Sequence, residues 1–195
     1  VDFIFRQADG AAQCEIGYFG GEPLLEFDLI LEITPYIEGH PGFDARRVGL
    51  TVVTNGTIFS DAIADFLIAH NIRFCLSCDG PPSVQDAFRR SPTGDPSSGR
   101  VEATIRAAQR ALPAMLVNSV FRPETLASLP ETIAYLSGLG LRQLYFNPDF
   151  SAPWSAADLA RLPAVYEEIA EDYIRRYLDG DPHFISLIDN KIAVI

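Results

Sequence analysis

Short apolar runs along the chain alternate with segments in which apolar residues recur every three to four positions. The runs, which are typical of buried strands, are Cys14–Phe19, Leu50–Thr54, Ile72–Cys78, Met115–Phe121 and Leu141–Phe146. The intervening segments with helical periodicity are Leu29–Ile37, Ala62–Ala69, Val101–Leu112, Leu129–Leu136 and Ala156–Tyr177. Ser60 and Ser155 are the expected N-caps of the second and the last of these helices. Strands that alternate with helices predict βα units and a mostly parallel sheet.

Two architectures are compatible with such units: a doubly wound open sheet, and a barrel or part of one. In both, ligands bind at the carboxyl ends of the strands. One connection is unusually long, since Gly80–Arg100 is rich in proline, glycine and serine. A connection of that length is typical of a lid, a binding loop or a mobile insert.

The composition narrows the class of protein. Of the 195 residues, 48% are hydrophobic and 21% are charged, which excludes a disordered or collagen-like chain. The net charge of −11 disfavours binding to a nucleic-acid backbone, and no apolar run is long enough to cross a membrane. Three cysteines, an odd number, favour a reducing cytoplasm over a secreted disulfide framework.

The first predicted strand leads into Gly20-Gly21-Glu22-Pro23. Two glycines let the backbone approach a ligand closely, and the carboxylate of Glu22 is suited to an ammonium group. The alternative is a tight strand-to-helix turn without a ligand. We favour a binding site, because folds of this kind bind ligands at this end of a strand.

Polar residues also follow the second and third predicted strands. Asn55-Gly56 is by itself an ordinary turn signal. Ser77 and Asp79 share one side of the third strand because strand residues alternate in direction, and together they are suited to the polar end of a small ligand. Asp79-Gly80-Pro81 is equally typical of a turn, and both interpretations stay open.

The cysteines and histidines do not predict a metal site. Cys75 and Cys78 have the CxxC spacing of redox and metal sites, but three positions apart on a strand they point to opposite faces. Both are expected to pack as small apolar side chains. The three histidines lack metal-ligand spacing, and the sequence has no Walker loop, nucleophile elbow or dinucleotide fingerprint.

The order of the strand-end motifs resembles that of the radical S-adenosylmethionine (SAM) superfamily. The motifs are Tyr18–Leu25, Val53–Thr57 and Leu76–Pro81, followed by Gln85-Asp86 and Arg89. The chain looks most similar to the peptide and protein maturases of that superfamily, which include SPASM-domain enzymes and anaerobic sulfatase-maturating enzymes. The resemblance covers about Cys14 to Phe150.

This resemblance implies an α/β fold, namely a partial (β/α) barrel of the radical SAM type with mostly parallel strands. The family's first strand and the CxxxCxxC loop that binds its 4Fe–4S cluster are missing here. We therefore expect residues 1–195 to be one radical SAM core domain, truncated at the N-terminus, with a further domain beyond residue 195. Val1–Gln13 would be the tail of the preceding helix region. The isolated piece is expected to be inactive, because thiolate ligation of the cluster is obligatory.

The resemblance also implies roles for individual residues. The glycine-glycine-glutamate turn binds the amino end of SAM, the serine helps to bind the carboxylate or ribose, and a downstream arginine pairs with the carboxylate. Polar residues on later strands contact the ribose or adenine. The expected cofactor-binding residues are Gly20, Gly21, Glu22, Asn55, Ser77, Asp79, Arg89, Asn118 and Asn147, and none is a metal ligand. The family often has histidine where this chain has Gln85.

The first functional hypothesis is a radical SAM enzyme core that modifies a peptide or protein through a 5′-deoxyadenosyl radical. It would bind SAM, with the 4Fe–4S cluster held elsewhere in a full-length cytoplasmic protein. An electron donor such as flavodoxin or ferredoxin would be a partner, whereas nucleic acid and membrane would not.

Two other functional classes are considered. The first alternative is a non-catalytic degenerate barrel that acts as a SAM- or peptide-binding module. A CxxxCxxC motif upstream of Val1 would favour the enzyme over the module. The second alternative, an ordinary barrel enzyme with proton chemistry, lacks a convincing histidine or lysine at any predicted strand end.

Overall fold

The computed structural model describes residues 1–192, in which six strands form one sheet in their order along the chain. The strands are β1 (Cys14–Tyr18), β2 (Val48–Thr54), β3 (Ile72–Ser77), β4 (Leu116–Phe121), β5 (Gln143–Pro148) and β6 (Phe184–Ile185). The helices are α1 (Asp2–Gln7), α2 (Phe27–Glu38), α3 (Asp61–Ala69), α4 (Pro82–Phe88), α5 (Ser98–Ala111), α6 (Leu129–Gly138), α7 (Ala156–Leu178) and α8 (Ser186–Ile192). Two short 3₁₀ turns cover Pro23–Glu26 and Leu126–Ser128.

The strand order decides between the two predicted architectures. A doubly wound sheet reverses its strand order and has helices on both faces. Here each strand pairs in parallel with the next one along the chain, so right-handed crossovers place the connecting helices on one face. The fold is a partial (β/α) barrel, as predicted, and its interior face is open.

The core lies between the sheet and this single layer of helices. Phe74 and Leu76 of β3 are almost completely buried, as are Ile133 and Leu136 of α6. Burial of each such side chain stabilises the folded state by about 1.5–3 kcal/mol. The sheet is thereby held rigidly enough to position the loops at its edge. In residues 1–192, no helix combines the length and the apolar character that a membrane span needs.

The local sequence signals agree with the structure. All five predicted strands are present, with ends shifted by one or two residues. The predicted N-caps are confirmed, because Ser60 Oγ accepts a hydrogen bond from Ile63 N at 3.3 Å and Ser155 forms a capping box with Asp158. Strand β6 was not predicted, since two residues are too short to show a periodic pattern.

The Gly80–Arg100 connection begins with a helix and packs partly into the core, whereas Pro92–Pro96 are exposed. Helix α4 occupies Pro82–Phe88, and Val84 and Gln85 are buried. Pro82 is the first residue of α4, where the missing N–H of proline costs no intrahelical hydrogen bond. The prolines that suggested a loop therefore include one that begins a helix.

Asp86 joins this segment to the start of α5. Its Oδ1 accepts hydrogen bonds from Ser97 N and Ser98 N, both at 2.8 Å. Its Oδ2 accepts one from Ser98 Oγ at 2.6 Å. Because the first N–H groups of a helix have no partner within the helix, the carboxylate of one helix caps the next.

Gly80→Ala is expected to destabilise the fold. The φ of Gly80, +142°, favours glycine, and an added Cβ would lie 2.6 Å from Thr132 Oγ1. Urea unfolding should show that the free energy of unfolding falls by roughly 2–4 kcal/mol. Gly94→Ala is the matched control, because Gly94 has φ +86° but open space around it, and should cost about 1 kcal/mol. Equal losses would show that the approach to Thr132 is unimportant.

Asp86→Asn is expected to weaken the dependence of stability on acidic pH. Burial acts to raise the pKa of Asp86, but hydrogen bonds from Ser98 and Ser97 outweigh it and lower the pKa. The stabilisation is therefore complete above the unfolded-state pKa of about 3.9 and is lost as the pH falls through the lower folded-state pKa. Urea midpoints between pH 5 and pH 2 measure this effect. Asp65→Asn, on the exposed side of α3, should leave the slope unchanged.

Candidate functional site

The predicted binding residues lie at the carboxyl ends of the strands. Glu22 follows β1, Asn55 follows β2 and Ser77 ends β3, while Asn147 lies near the end of β5. Parallel strands present these ends at a common edge. The topology therefore brings together residues that are distant in the sequence, as predicted for Glu22, Ser77 and Asn147.

Glu22 fastens the loop after β1 to the end of β2. Its Oε1 accepts hydrogen bonds from Leu24 N at 3.1 Å and Thr54 Oγ1 at 2.7 Å. Its Oε2 accepts one from Asn55 N at 2.7 Å. Hydrogen bonds to a charged acceptor are roughly twice as strong as neutral ones. Glu22 therefore shapes the site itself, a role that the sequence pattern did not indicate.

The two glycines before Glu22 leave their surroundings open. A Cβ added to Gly20 or Gly21 would meet no atom within 4 Å, and neither residue has a positive φ. The fold therefore does not itself require glycine at either position. An exposed backbone with free space beside it is what the close approach of a ligand needs.

Asn55 forms the turn that its sequence indicates. Its Oδ1 accepts hydrogen bonds from Thr57 N at 2.9 Å and Thr57 Oγ1 at 2.7 Å. Gly56 follows with φ +72° and lies close to Leu76. The turn interpretation is confirmed, and the turn places Asn55 beside the loop that contains Gly21.

Asp79 and Arg89, two predicted cofactor ligands, bind each other. Arg89 Nε donates to Asp79 Oδ2 at 2.6 Å, and Arg89 Nη2 donates to Asp79 Oδ1 at 3.1 Å. Asp79 Oδ1 also accepts from Val120 N of β4 at 2.9 Å. Asp79 is only 7% exposed, whereas the Arg89 side chain is 31% exposed. The carboxylate is thus committed to the protein, while part of the guanidinium reaches the surface.

A buried amide, which the sequence pattern did not identify, completes this arrangement. Gln85 Oε1 accepts a hydrogen bond from Asp79 N at 2.8 Å, and Gln85 Nε2 donates to Ser97 Oγ at 3.1 Å. Ser97 Oγ in turn donates to the Arg89 carbonyl at 2.5 Å. Only the resemblance indicated that this position matters, because the family often has histidine there.

A cavity of about 320 Å³ opens between these loops. Its lining includes Gly21 and Asn55 on one side, and Arg89, Arg90 and Arg100 on the other. None of the described residues in its lining is acidic. Three arginines line this one small space, which favours an anionic group as its occupant.

Arg90 and Arg100 were not among the predicted site residues. Arg90 Nε donates to the Asp86 carbonyl at 2.9 Å, and Arg90 Nη1 donates to the Gly94 carbonyl at 3.2 Å. These hydrogen-bond partners are uncharged carbonyls, and the nearby Asp86 carboxylate also feels the positive charge of Arg90. The loop prediction for Gly80–Arg100 rested on its proline, glycine and serine content. That composition does not indicate that the arginines of the segment converge.

The remaining predicted residues lie on the open interior face of the barrel. Ser77 pairs in register with Asn118 on β4, and Asn147 Nδ2 donates to Asn118 Oδ1 at 2.8 Å. These three residues do not line the cationic cavity. All three side chains are uncharged and can form hydrogen bonds.

An apolar groove of about 370 Å³ lies at the carboxyl ends of β4 and β5. Phe121, Pro148 and Trp154 contribute to its lining, together with Leu159 and Tyr166 of α7 and the exposed Phe150. Trp154 is held by a hydrogen bond from its Nε1 to the Asp149 carbonyl at 2.8 Å. This side of the edge therefore suits apolar groups.

Two of the cysteines, Cys14 and Cys78, pack with apolar side chains. Cys78 lies in the core, and burial raises the pKa of its thiol to about 11. Cys75 is half-buried, and burial raises the pKa of its thiol as well. Within residues 1–192, no group of three histidine, cysteine, aspartate or glutamate side chains is arranged to hold a metal ion. The residues described here therefore do not fit an iron–sulfur cluster.

Curated proteins that resemble the chain in sequence cover different parts of it. An uncharacterized protein of Methanocaldococcus jannaschii is 26% identical over 155 residues, 80% of this chain and 52% of that protein. The cysteine-type anaerobic sulfatase-maturating enzyme of Clostridium perfringens is 26% identical over 102 residues, 52% and 27% of the two chains. The radical SAM cyclopropyl synthase TigE of Paramaledivibacter caminithermalis is 28% identical over 69 residues, which are 35% of this chain and 14% of that protein.

The chain spans about half or less of the length of these relatives, and no family model matches it. A solved structure of an anaerobic sulfatase-maturating enzyme with bound AdoMet and a peptide superposes with a TM-score of 0.78 at 18% identity. The superposition covers 95% of this chain and 54% of the other. The chain therefore has the radical SAM fold and is similar in sequence to radical SAM maturases, including an anaerobic sulfatase-maturating enzyme.

Proposed function

We propose that this chain is the SAM-binding part of a radical SAM enzyme that modifies a peptide or protein. The observation that carries the proposal is the cationic cavity beside the open Gly20-Gly21 backbone, at the carboxyl ends of a radical SAM fold. SAM carries an ammonium and a carboxylate on one end. The edge offers a carboxylate on one loop and guanidinium groups on another, which complement those charges.

The two charged groups of SAM would contact different loops. Glu22 already accepts three hydrogen bonds, and an ionised carboxylate has about four acceptor sites, so one is left for an ammonium. Arg90 and Arg100 join Arg89 as partners for the carboxylate. Ser77, Asn118 and Asn147 would contact the ribose or adenine along the interior face.

Bound SAM supplies the hydrogen-abstracting radical in this class of chemistry. The residues of this chain would bind and orient SAM, and none is assigned an acid or base role. Since the described cysteines do not fit a cluster, the cluster would be bound by cysteines outside these 195 residues. An electron donor such as flavodoxin or ferredoxin belongs to the same proposal.

The substrate would lie against the open interior face. That face is neutral at its carboxyl end, where Asn118 and Asn147 pair. The apolar groove at the ends of β4 and β5 lies on the side of α7, and it would take a bulky side chain that extends across the strand ends. The peptide in the related solved structure supports a peptide or protein as the substrate class here.

The proposed function is tested by SAM cleavage in the full-length protein that contains this chain. The protein is reconstituted anaerobically with iron and sulfide, reduced, and incubated with SAM, and 5′-deoxyadenosine is quantified by chromatography. Reductant-dependent formation of 5′-deoxyadenosine is expected. Binding of SAM without cleavage would instead support the non-catalytic SAM-binding module, and the absence of binding would contradict both.

Glu22→Gln is expected to weaken SAM binding by about ten- to hundredfold. The substitution removes a charge-assisted bond to the ammonium, worth roughly 1.5–3 kcal/mol. Calorimetric titration of the full-length protein with SAM measures the change, and circular dichroism monitors folding. Glu32→Gln, on the exposed side of α2, is the control. Unchanged affinity would show that Glu22 only holds the loop.

The 195-residue chain alone is expected to remain without a cluster after anaerobic reconstitution. Its three cysteines lack the CxxxCxxC spacing of a cluster loop, and Cys78 is buried in the core. Iron analysis and the visible absorption spectrum measure the outcome. Stoichiometric iron with a cluster spectrum would show that the cluster ligands lie within this chain.

A further inference from the structure

Four residues at the carboxyl end of β3 form a closed ring of hydrogen bonds. Asp79 N donates to Gln85 Oε1, and Gln85 Nε2 donates to Ser97 Oγ. Ser97 Oγ donates to the Arg89 carbonyl, and the Arg89 guanidinium returns to the Asp79 carboxylate. The ring therefore holds Arg89 from two directions, by its backbone and by its guanidinium.

Gln85 is the member of the ring that is least replaceable. It is 1% exposed, and both ends of its amide are used. A primary amide presents an acceptor oxygen and a nitrogen with two donor hydrogens at fixed positions, and it does not titrate. The charged groups around it are Asp79 at the end of β3, and Asp86 and Arg89 at the end of α4. A neutral amide adds no further charge to this group.

The orientation of Arg89 decides which of its donors face the cavity. A guanidinium has five N–H donors, and Asp79 takes Nε–H and one donor of Nη2. Nη1 and the second hydrogen of Nη2 are left, on the side chain that lines the cavity. Any rotation away from Asp79 would redirect these donors.

We propose that Gln85 is a positioning residue that acts through Asp79 and Ser97 to aim the Arg89 guanidinium at the carboxylate of the ligand. The inference rests on the proposed function for the identity of that ligand, SAM. The placement of Arg89 itself does not depend on which anion binds. Gln85 also lines the cavity, but both ends of its amide are engaged within the ring, so its loss should act mainly on the carboxylate contact.

The first test measures the placement of Arg89 without a ligand. In the 195-residue chain, the Nε–H resonance of Arg89 is assigned by its loss in Arg89→Lys, and its exchange with water is measured by NMR. Gln85→Leu removes two ring hydrogen bonds and should speed this exchange by about tenfold, which corresponds to weakening the Arg89–Asp79 contact by about one hydrogen bond. Gln109→Leu is the matched control, because Gln109 belongs to α5 and its side chain lies near Gly140, outside the ring. Unchanged exchange in a folded Gln85→Leu chain would overturn the proposal.

A second variant keeps the proposal falsifiable if Gln85→Leu does not fold. Neutral histidine also has one acceptor and one donor, but its protonated form has only donors. Gln85→His should therefore keep slow Arg89 exchange at pH 8 and lose it near pH 5.5, relative to the parent at each pH. The same pH effect in parent and variant would contradict a positioning role.

The third test uses ligands in the full-length protein. Gln85→Leu should weaken the binding of SAM by about tenfold, while the binding of decarboxylated SAM, which lacks the carboxylate, changes little. Equal losses for both ligands would indicate a general structural defect and would overturn the inference. If the parent binds neither ligand, the proposed function fails, and the exchange measurement still decides the role of Gln85.

Discussion

The buried carboxylate of Asp79 is the contact on which the carboxyl-end edge of the sheet depends. It accepts one hydrogen bond from the backbone of β4 and two from Arg89 at the end of α4. A carboxylate this deeply buried is costly unless it is paired and hydrogen-bonded. The α4 segment is therefore drawn onto the strand ends, and the cavity forms between that segment and the loops after β1 and β2.

Charge is distributed very unevenly over this molecule. The chain carries a net charge of −11, yet three arginines converge on one cavity. A cleft with low-dielectric walls focuses the field of the charges that line it. The local field, and not the net charge, would therefore govern what binds there, and a small anionic group is favoured although the protein as a whole repels anions.

The interior face of the partial barrel differs between its two ends. At the amino end, Glu15 and Arg73 form an ion pair across β2, and Gly49 leaves the room for it, since an added Cβ would meet the Glu15 carboxylate. At the carboxyl end, the face carries the neutral pair Asn118 and Asn147. Within the strands of this face, the charged pair thus lies at the amino end, and the charges at the carboxyl end come from the loops.

Local sequence patterns were sufficient to predict five of the six strands, most helices and the caps at Ser60 and Ser155. These features depend on residues that are near each other in the chain, so periodicity and capping chemistry reveal them. The rule that parallel folds bind ligands at strand ends then located Glu22 and Ser77 at one edge. The resemblance added SAM as the expected ligand.

The partners of those residues were decided only by the tertiary structure. Asp79 binds Val120, 41 positions away, and Glu22 binds Asn55, 33 positions away. By its local sequence pattern alone, Gln85 is an ordinary polar residue in a long connection. Hydrogen bonds of this kind form only after the sheet has brought separate segments together, and no local pattern records which donor will meet which buried acceptor.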